Sequence, residues 1–315
     1  MSIIVSLHFH PGLESEIKLM CDEKSGKFFG STNYKSICSR ISFISLLRIK
    51  NDIIIYNTSL WNPLFLILKF IFGFRMIYCF HEPVLPLSIK NSSLDILKSM
   101  IVNFIHYLFF IASDDLIVFS DCGRRKIPSR WWSKIKIRKL PFDYKPILPF
   151  RLEMQKKVER RTFTILFYGN VNSGKDPFEF VSLFSNCNVD NLKLRLISTA
   201  EYDFNRWKKF SSEKIRVDFF DSLSDMEILN ILSDSDIVLL PHKRCTQSAI
   251  LERSTFLGLP IIFGSCNCFE EHVGIYGIRY SANKEEFLSS LLYLINDYEI
   301  FRDNCLSRHK SFLSV

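Results

Sequence analysis

Short runs of β-branched and aromatic residues alternate with longer segments of helical periodicity along the whole chain. In the second half the predicted strands are Thr162–Phe167, Leu192–Ile197, Ile215–Phe219, Ile237–Leu240 and Pro260–Phe263. A strand that is repeatedly followed by a helix predicts parallel sheets with helices packed on both faces. The sequence therefore predicts an α/β protein.

The length and one proline-rich stretch indicate how the chain divides. Its 315 residues suggest about two domains. Three prolines within 141–149, followed by charge-rich residues, mark the boundary. We expect a Rossmann-like domain at 1–145, a linker at 146–161, and a second Rossmann-like domain at 162–315, whose last helix is a candidate to return to the first domain. Two such domains that face each other leave a cleft at the carboxyl ends of both sheets, where ligands tend to bind.

Composition and charge exclude several classes of protein. Hydrophobic residues form 47% of the chain, which excludes a disordered protein. The net charge of +8 requires an anionic partner only if the basic residues are clustered. The first ten residues lack the pattern of a signal peptide, so we expect a cytoplasmic protein. The apolar stretches Leu60–Phe74 and Ser99–Ser113 are shorter than the ~20 residues of a membrane span and predict buried or surface-lying helices.

The segment from Ile165 to Phe180, ILFYGNVNSGKDPFEF, places a polar loop between a strand and a helix. The loop contains Gly169 and Lys175, and Pro177 is well placed for the first helical turn. Backbone N–H groups, the positive end of a helix and a lysine at one place suit a diphosphate. The alternative is an ordinary turn with a solvated lysine. A Walker A loop is excluded, because Asp176 stands where that motif requires Ser or Thr.

A second polar loop follows the predicted strand that ends before Pro241, and a helix begins near Thr246–Ser248. Ser248 and Ala249 at this helix N-terminus can receive phosphate oxygens. Glu252, one turn further, can accept hydrogen bonds from two ribose hydroxyls, each worth about 1.5–3 kcal/mol. The alternatives are a plain N-cap for Ser248 and, for Glu252, a solvated carboxylate that favours the helix dipole.

The second half resembles the donor-binding domain of GT-B glycosyltransferases of the family-4, or group 1, type. In that family a glycine at the end of a strand is followed six positions later by a diphosphate-binding lysine, as Gly169 and Lys175 are here. A strand that ends in proline, a helix that carries a glutamate and a Gly-x-Pro corner then follow. Pro241, Glu252 and the corner Gly258–Pro260 match these features in order.

This resemblance covers about 162–296 and contains departures from the family pattern. Asn170 stands where the family has an arginine, and Asp176 where it often has a glycine. Arg244 stands eight positions before Glu252, where the family has the first glutamate of its signature pair. The segment TQSAILE resembles a branch of the superfamily in which a serine, and not a glutamate, faces the donor.

The resemblance implies an activity and a set of donor contacts. The activity is transfer of a sugar from a nucleotide-diphosphate sugar to an acceptor hydroxyl, a hexosyltransferase-type reaction. The implied diphosphate contacts are Gly169, Asn170, Lys175, Ser248 and Ala249. The implied ribose or sugar contacts are Arg244, Gln247 and Glu252. This fold type generally needs no metal, and we expect neither a metal nor a cofactor.

The first half resembles the acceptor domain of the same family. The segment RMIYCFHEP is similar to the family's strand that ends in a histidine at the cleft, which makes His81 and Glu82 the catalytic candidates. His81 can bond a sugar hydroxyl or position the acceptor, and Glu82 can act as a base. The alternative is that both residues only close a turn before Pro83. His8 and His10 are further candidates at the end of the first strand.

A basic, aromatic stretch extends from Arg124 to Lys139, with eight Lys or Arg residues, no acidic residue, and Trp131 and Trp132 in the middle. Trp favours the headgroup zone of a membrane, and each basic residue near an anionic surface is worth about 1 kcal/mol. This pattern favours a peripheral membrane protein with a lipid-linked saccharide acceptor. A solvated basic face is the alternative; nucleic acid is not expected, because no nucleic-acid module accompanies the stretch.

Three functions follow from these patterns. The first is a glycosyltransferase that builds a cell-surface polysaccharide on the inner face of the plasma membrane. The second is a GT-B-shaped binding or scaffold protein without catalysis, which the missing first glutamate and Asn170 motivate. The third, a dinucleotide oxidoreductase, is disfavoured because no G-x-G-x-x-G follows a predicted strand.

Overall fold

The computed structural model describes residues 3–6, 27–30, 53–56, 63–80, 93–138, 144–155, 162–169, 171, 175–187, 189–243 and 248–310. The chain divides into two units, Met1–Asp143 (unit 1) and Tyr144–Val315 (unit 2). In the described part of the chain, each unit is built around one parallel sheet. The prediction of an α/β protein with two parallel sheets is confirmed.

Unit 1 has its described strands in the order β2-β1-β3-β4-β5-β6, and every neighbouring pair is parallel. The strands are β1 (Ile3–Ser6), β2 (Lys27–Gly30), β3 (Ile53–Tyr56), β4 (Met76–Phe80), β5 (Asp115–Val118) and β6 (Ile135–Ile137). The helices are α1 (Pro63–Phe72), α2 (Ser93–Ala112), α3 (Asp121–Arg125) and a 3-10 helix, Ser129–Lys134. Aromatic residues of β4 and α2 fill the core; the Tyr78 ring stacks on Phe109 with 4.6 Å between centroids.

Unit 2 has its described strands in the order β12-β11-β10-β7-β8-β9, again all parallel. They are β7 (Phe163–Tyr168), β8 (Leu192–Ser198), β9 (Ile215–Phe219), β10 (Ile237–Leu240), β11 (Ile261–Phe263) and β12 (Gly277–Arg279). This is the doubly wound Rossmann order, in which the chain reverses direction across the sheet between its first and fourth strands. The switch point of unit 2 therefore lies between β7 and β10.

The helices of unit 2 cover its sheet. They are α4 (Leu148–Gln155), α5 (Phe178–Ser185), α6 (Glu201–Trp207), a 3-10 helix (Lys208–Phe210), α7 (Asp225–Ser233), α8 (Ala249–Leu257), α9 (Asn267–Val273), α10 (Lys284–Asn296) and α11 (Tyr298–Arg308). Two of these helices have well-defined caps at their ends. Ser224 and Glu227 form a capping box at α7, and Gly258 ends α8 with a φ of 81°.

An aspartate directly before a strand joins neighbouring strands in each unit. Asp114, before β5, accepts a hydrogen bond of 2.8 Å from the backbone N–H of Met76, and Asp236, before β10, accepts one of 2.8 Å from Thr164. Burial alone would raise the pKa of Asp114, but the bonds from Lys69 and Met76 hold that pKa below its ordinary value. These acidic residues therefore stabilise strand pairing, which is the structural role that their position before buried strands indicates.

The region expected to link the domains contains α4, which packs within unit 2. The buried Arg151 of α4 donates to the carbonyl of Phe256 in α8 at 2.8 Å and to that of Leu306 in α11 at 3.0 Å. In return, Arg302 of α11 donates to the carbonyl of Met154 at 2.8 Å. Carbonyls in the last turn of a helix lack partners within that helix, so these arginines satisfy three such groups. The last described helix, α11, thus packs on α4 and α8.

Candidate functional site

The loops that follow the two central strands of unit 2 are held together by their backbones. β7 ends at Tyr168 and β10 ends at Leu240, on neighbouring strands of the sheet. Beyond them, Lys175 and His242 form an antiparallel bridge. In doubly wound sheets, ligands bind at the carboxyl edge beside the switch point. The structure therefore brings Lys175, and His242 directly after Pro241, to the position where this fold binds ligands.

The side chain of Lys175 turns back onto the end of β7. Its Nζ donates a hydrogen bond of 3.1 Å to the carbonyl of Tyr168 and lies 5.1 Å from the centroid of the Phe167 ring. A cation over an aromatic face is favourable, and the carbonyl fixes its direction. The ammonium group is thus located at the carboxyl end of the central strand, beside the switch point.

Gly169 is the residue that allows this arrangement. Its φ is 126°, a region that side chains with a Cβ rarely adopt. A Cβ placed on Gly169 would lie 2.5 Å from Nζ of Lys175, closer than any real contact. The six-residue spacing that the sequence analysis singled out therefore corresponds to a direct approach of the lysine to the glycine.

The N-terminus of α8 has the cap that the sequence predicts. The Ser248 hydroxyl accepts a hydrogen bond of 3.5 Å from the backbone N–H of Leu251, and the helix begins at Ala249. A helix N-terminus presents backbone N–H groups and a positive dipole end to the loop before it. Ser248 follows His242, the bridge partner of Lys175, by six positions in the chain.

Glu252 lies in the first turn of α8 and is 8% exposed. Its Oε1 accepts a hydrogen bond of 2.6 Å from Arg308 of α11, and its Oε2 lies 4.0 Å from Nε2 of the buried His309. Burial would lower the pKa of Arg308, but the charge of Glu252 raises it. The reading of Glu252 as a solvated carboxylate is therefore wrong, and its contact to a ribose stays a prediction.

His242 is a residue that the sequence analysis did not single out. Its backbone N–H donates to the carbonyl of Leu240 at 2.8 Å, and its ring meets Phe269 edge-on at 5.1 Å. Its Nδ1 is buried and has no hydrogen-bond partner in the described part of the chain. Burial and the nearby charge of Lys175 hold the pKa of His242 well below its ordinary value, so the imidazole is neutral. The signal that could have revealed it is a histidine directly after the proline that ends a buried strand.

A second cation, Arg253, was also missed, because its only sequence signal is the position after Glu252. Its Nη1 donates to Asp225 at 3.0 Å, and both charges act on the phenol at the end of β7. Burial raises the pKa of Tyr168; Arg253 opposes this shift and Asp225 adds to it. The end of β7 therefore has Lys175 directly at it and the charge of Arg253 close by.

A cavity of about 1000 Å³ opens beside this region in unit 2. Its lining includes Glu179 of α5, Lys243 after β10, Ser265 after β11, and Tyr280 after β12. Burial, together with the charges of Glu179 and Asp176, raises the pKa of Tyr280, so its hydroxyl stays protonated. The volume and the polar lining fit a ligand with many hydroxyl groups.

Seven of the predicted site residues lie outside the described part of the chain. They are the catalytic candidates His81 and Glu82, the further candidates His8 and His10, and the donor contacts Asn170, Arg244 and Gln247. β4 ends at Phe80, directly before His81. The roles of these residues stay predictions.

No protein-family model and no curated protein sequence matches the chain. Among solved structures, HepE from Anabaena, in complex with UDP-glucose, has a TM-score of 0.69 at 13% identity, over 99% of this chain and 95% of HepE. A UDP-forming trehalose-phosphate synthase from Burkholderia xenovorans has a TM-score of 0.65 at 10% identity, over 99% of this chain and 98% of the synthase. A putative UDP-N-acetylglucosamine 2-epimerase from Listeria monocytogenes has a TM-score of 0.59 at 9% identity, over 98% of this chain and 90% of the epimerase. With two Rossmann-like parallel-sheet units and these similar structures, the chain has the GT-B fold, as the sequence predicted.

Proposed function

We propose that this protein is a glycosyltransferase that moves a sugar from a nucleotide-diphosphate sugar to a hydroxyl of a saccharide acceptor. The observation that carries the proposal is the bridge between Lys175 and His242, which holds an ammonium group at the switch point of a GT-B fold. The names of the three similar structures each contain UDP, either bound, formed or as part of the substrate. A UDP-sugar is therefore the first donor to test.

The chemistry of the reaction explains why these groups suit it. When the bond from the sugar to the diphosphate breaks, negative charge grows on the leaving diphosphate. Lys175 and the N–H groups at the start of α8 stabilise this charge electrostatically. His81 and Glu82 are the proposed catalytic residues because β4 ends at Phe80, directly before them in the chain. One of them positions the acceptor and the other takes its hydroxyl proton. We propose that this reaction proceeds without a metal ion.

We further propose that the acceptor is linked to a lipid and that the enzyme builds a cell-surface polysaccharide at the cytoplasmic face of the plasma membrane. The basic stretch that begins at Arg124 supports this. The Arg124 guanidinium lies 5.0 Å from the ring centroid of Trp132, and Trp132 is 41% exposed. Aromatic and basic side chains together favour the headgroup zone of an anionic membrane.

The competing proposal is a scaffold protein that binds a sugar nucleotide without transferring the sugar. Arg244 in place of the family's first glutamate, and Asn170 in place of its arginine, favour that alternative. Incubation with a panel of radiolabelled UDP-sugars and membrane extracts separates the two. Transfer of label to an acceptor supports the glycosyltransferase, whereas UDP-sugar binding without transfer or hydrolysis favours the scaffold.

Replacement of Lys175 by alanine tests the donor site. A lost charge-assisted contact to the diphosphate costs about 1.5–3 kcal/mol, so we expect UDP-sugar affinity to fall roughly 10- to 150-fold in calorimetry. The matched control is Lys193→Ala, an exposed lysine on β8 of the same sheet. Equal affinities in Lys175→Ala and Lys193→Ala would remove Lys175 from the site.

A further inference from the structure

We propose that the outer face of α1 and α2 in unit 1 inserts into the surface of an anionic lipid bilayer, with both helices lying along the membrane. The basic 3-10 helix Ser129–Lys134 then lies at the level of the headgroups. This inference rests on the proposed function in one respect: membrane binding would bring the enzyme to a lipid-linked acceptor.

The exposed face of α2 is apolar and therefore unfavourable for contact with water. Every described side chain of α2 that is exposed is apolar or aromatic: Leu97, Met100, Ile101, Phe104, Tyr107 and Ile111. These positions repeat with the helical period and form one stripe over about four turns. The opposite stripe, with Phe109 and Phe110, is buried against the sheet. α2 is therefore apolar on both faces although only one of them is in the core.

α1 shows the same pattern and packs against α2. Its described side chains that are exposed are Ile67, Phe70 and Ile71, and Phe70 is 93% exposed. Its one charged residue, Lys69, pairs with Asp114. The two helices thus present neighbouring apolar stripes. Contiguous apolar surface of this kind marks an interaction site.

Basic and aromatic groups border this surface at the end of α2. Nζ of Lys134 donates to the carbonyls of Ile111 and Ser113, at 3.2 and 2.9 Å, and so joins the 3-10 helix to the end of α2. The Arg130 guanidinium lies 4.1 Å from the ring centroid of Trp131. An apolar face bordered by Trp and by basic residues is typical of helices that lie in the interface of an anionic membrane.

The charges favour a bilayer over a second copy of the chain. A two-fold dimer through this face would bring the basic borders of the two copies close together. The like charges of these borders would repel each other and oppose the dimer. Anionic headgroups complement that border, and acyl chains complement the apolar stripes. No described helix is long and apolar enough to cross a bilayer, which agrees with helices that lie in its surface.

The test is co-flotation of the full chain with vesicles of phosphatidylcholine, alone or mixed with phosphatidylglycerol, without any sugar nucleotide. We expect binding to the mixed vesicles that weakens with salt. The double variant Phe70→Ser, Phe104→Ser should reduce this binding at least tenfold. The matched control is Tyr202→Ser, Ile300→Ser, which removes two exposed apolar side chains from unit 2 and should bind like the wild type.

Trp132 provides a second readout, because it is half-exposed at the border of the surface. Brominated lipids should quench Trp fluorescence of the wild type and much less that of a Trp132→Phe variant. Absence of vesicle binding would overturn the proposal, as would a dimer in analytical ultracentrifugation that Phe70→Ser, Phe104→Ser dissociates. Calorimetry with UDP on the same variants tests the donor site separately, so failure of docking and failure of the proposed function give different results.

Discussion

At the scale of single residues, Gly169 and Lys175 can be tested as a pair. Gly169→Ala places a methyl group where the Lys175 ammonium lies and forces a φ of 126° on alanine. We expect the ammonium to leave the end of β7 and UDP-sugar affinity to fall about tenfold, the equivalent of ~1.4 kcal/mol. Calorimetry measures this.

The control for this prediction is Gly73→Ala in unit 1. Gly73 also has a positive φ, 64°, but a Cβ there meets nothing within 4 Å. This variant should lose only the stability that a left-handed residue costs, about 1–2 kcal/mol, and bind the donor normally. A Gly169→Ala protein with full donor affinity would contradict the assigned role of the close approach.

His242 gives a pH dependence with a defined sign. In the folded protein its pKa is well below the ordinary value of 6.5. Above pH 6.5 the ring is therefore neutral in both the folded and the unfolded chain, and it does not make the free energy of unfolding depend on pH. As the pH falls below 6.5, the unfolded chain takes up a proton that the folded chain does not. The free energy of unfolding therefore falls, by up to about 1.4 kcal/mol per pH unit, until the lowered folded-state pKa is reached.

Urea denaturation at pH 7.5 and pH 5 measures this loss of stability. The variant His242→Asn removes the titrating group and should show a smaller difference between the two pH values than the wild type. The other ionisable groups are common to both proteins and cancel in the comparison. An equal difference in wild type and variant would mean that His242 does not titrate as described.

At the scale of secondary-structure elements, the caps of α7 and α8 separate stability from binding. Ser248→Ala and Ser224→Ala each remove an N-cap serine, which typically costs about 1 kcal/mol of stability. Only Ser248 lies at the helix end that we assign to the diphosphate. We therefore expect a lower melting temperature for both variants in scanning calorimetry. Only Ser248→Ala should bind UDP more weakly than the wild type. Equal UDP affinities would leave Ser248 as a plain N-cap.

Elements with a strong local signal could be predicted from the sequence. The strands Ile215–Phe219 and Ile237–Leu240 have the predicted bounds. The strand Gly277–Arg279 was missed because three residues show no alternation. It also depends on Gly277, where a Cβ would lie 1.8 Å from the carbonyl oxygen of Ile261. Only contact with the neighbouring strand makes it a strand.

The site could be predicted in part for the same reason. The spacing of Gly169 and Lys175 is local, so the sequence indicates it. The ion pair between Glu252 and Arg308 joins residues 56 positions apart, and no local pattern encodes it. The bridge from Lys175 to His242 likewise arises from the sheet order. Such contacts need the tertiary structure.

At the scale of the whole molecule, the two units have separate cores. We expect UDP to slow hydrogen exchange most in β7, β10 and the start of α8, because a ligand stabilises the elements that it binds. The exposed helices α1 and α2 should exchange at the same rate with and without UDP. Exchange mass spectrometry measures both, and slowing confined to unit 1 would contradict the assignment of the donor site to unit 2.

The arginine contacts of α4 determine how the protein can be dissected. A fragment that begins at residue 162, directly before the first strand of unit 2, would lose Arg151 and leave the carbonyls of Phe256 and Leu306 without its guanidinium. The loss of these two hydrogen bonds costs stability. A C-terminal truncation before Arg302 would have the corresponding effect on α4. Unit 2 should therefore be expressed from Tyr144, with its last helix intact.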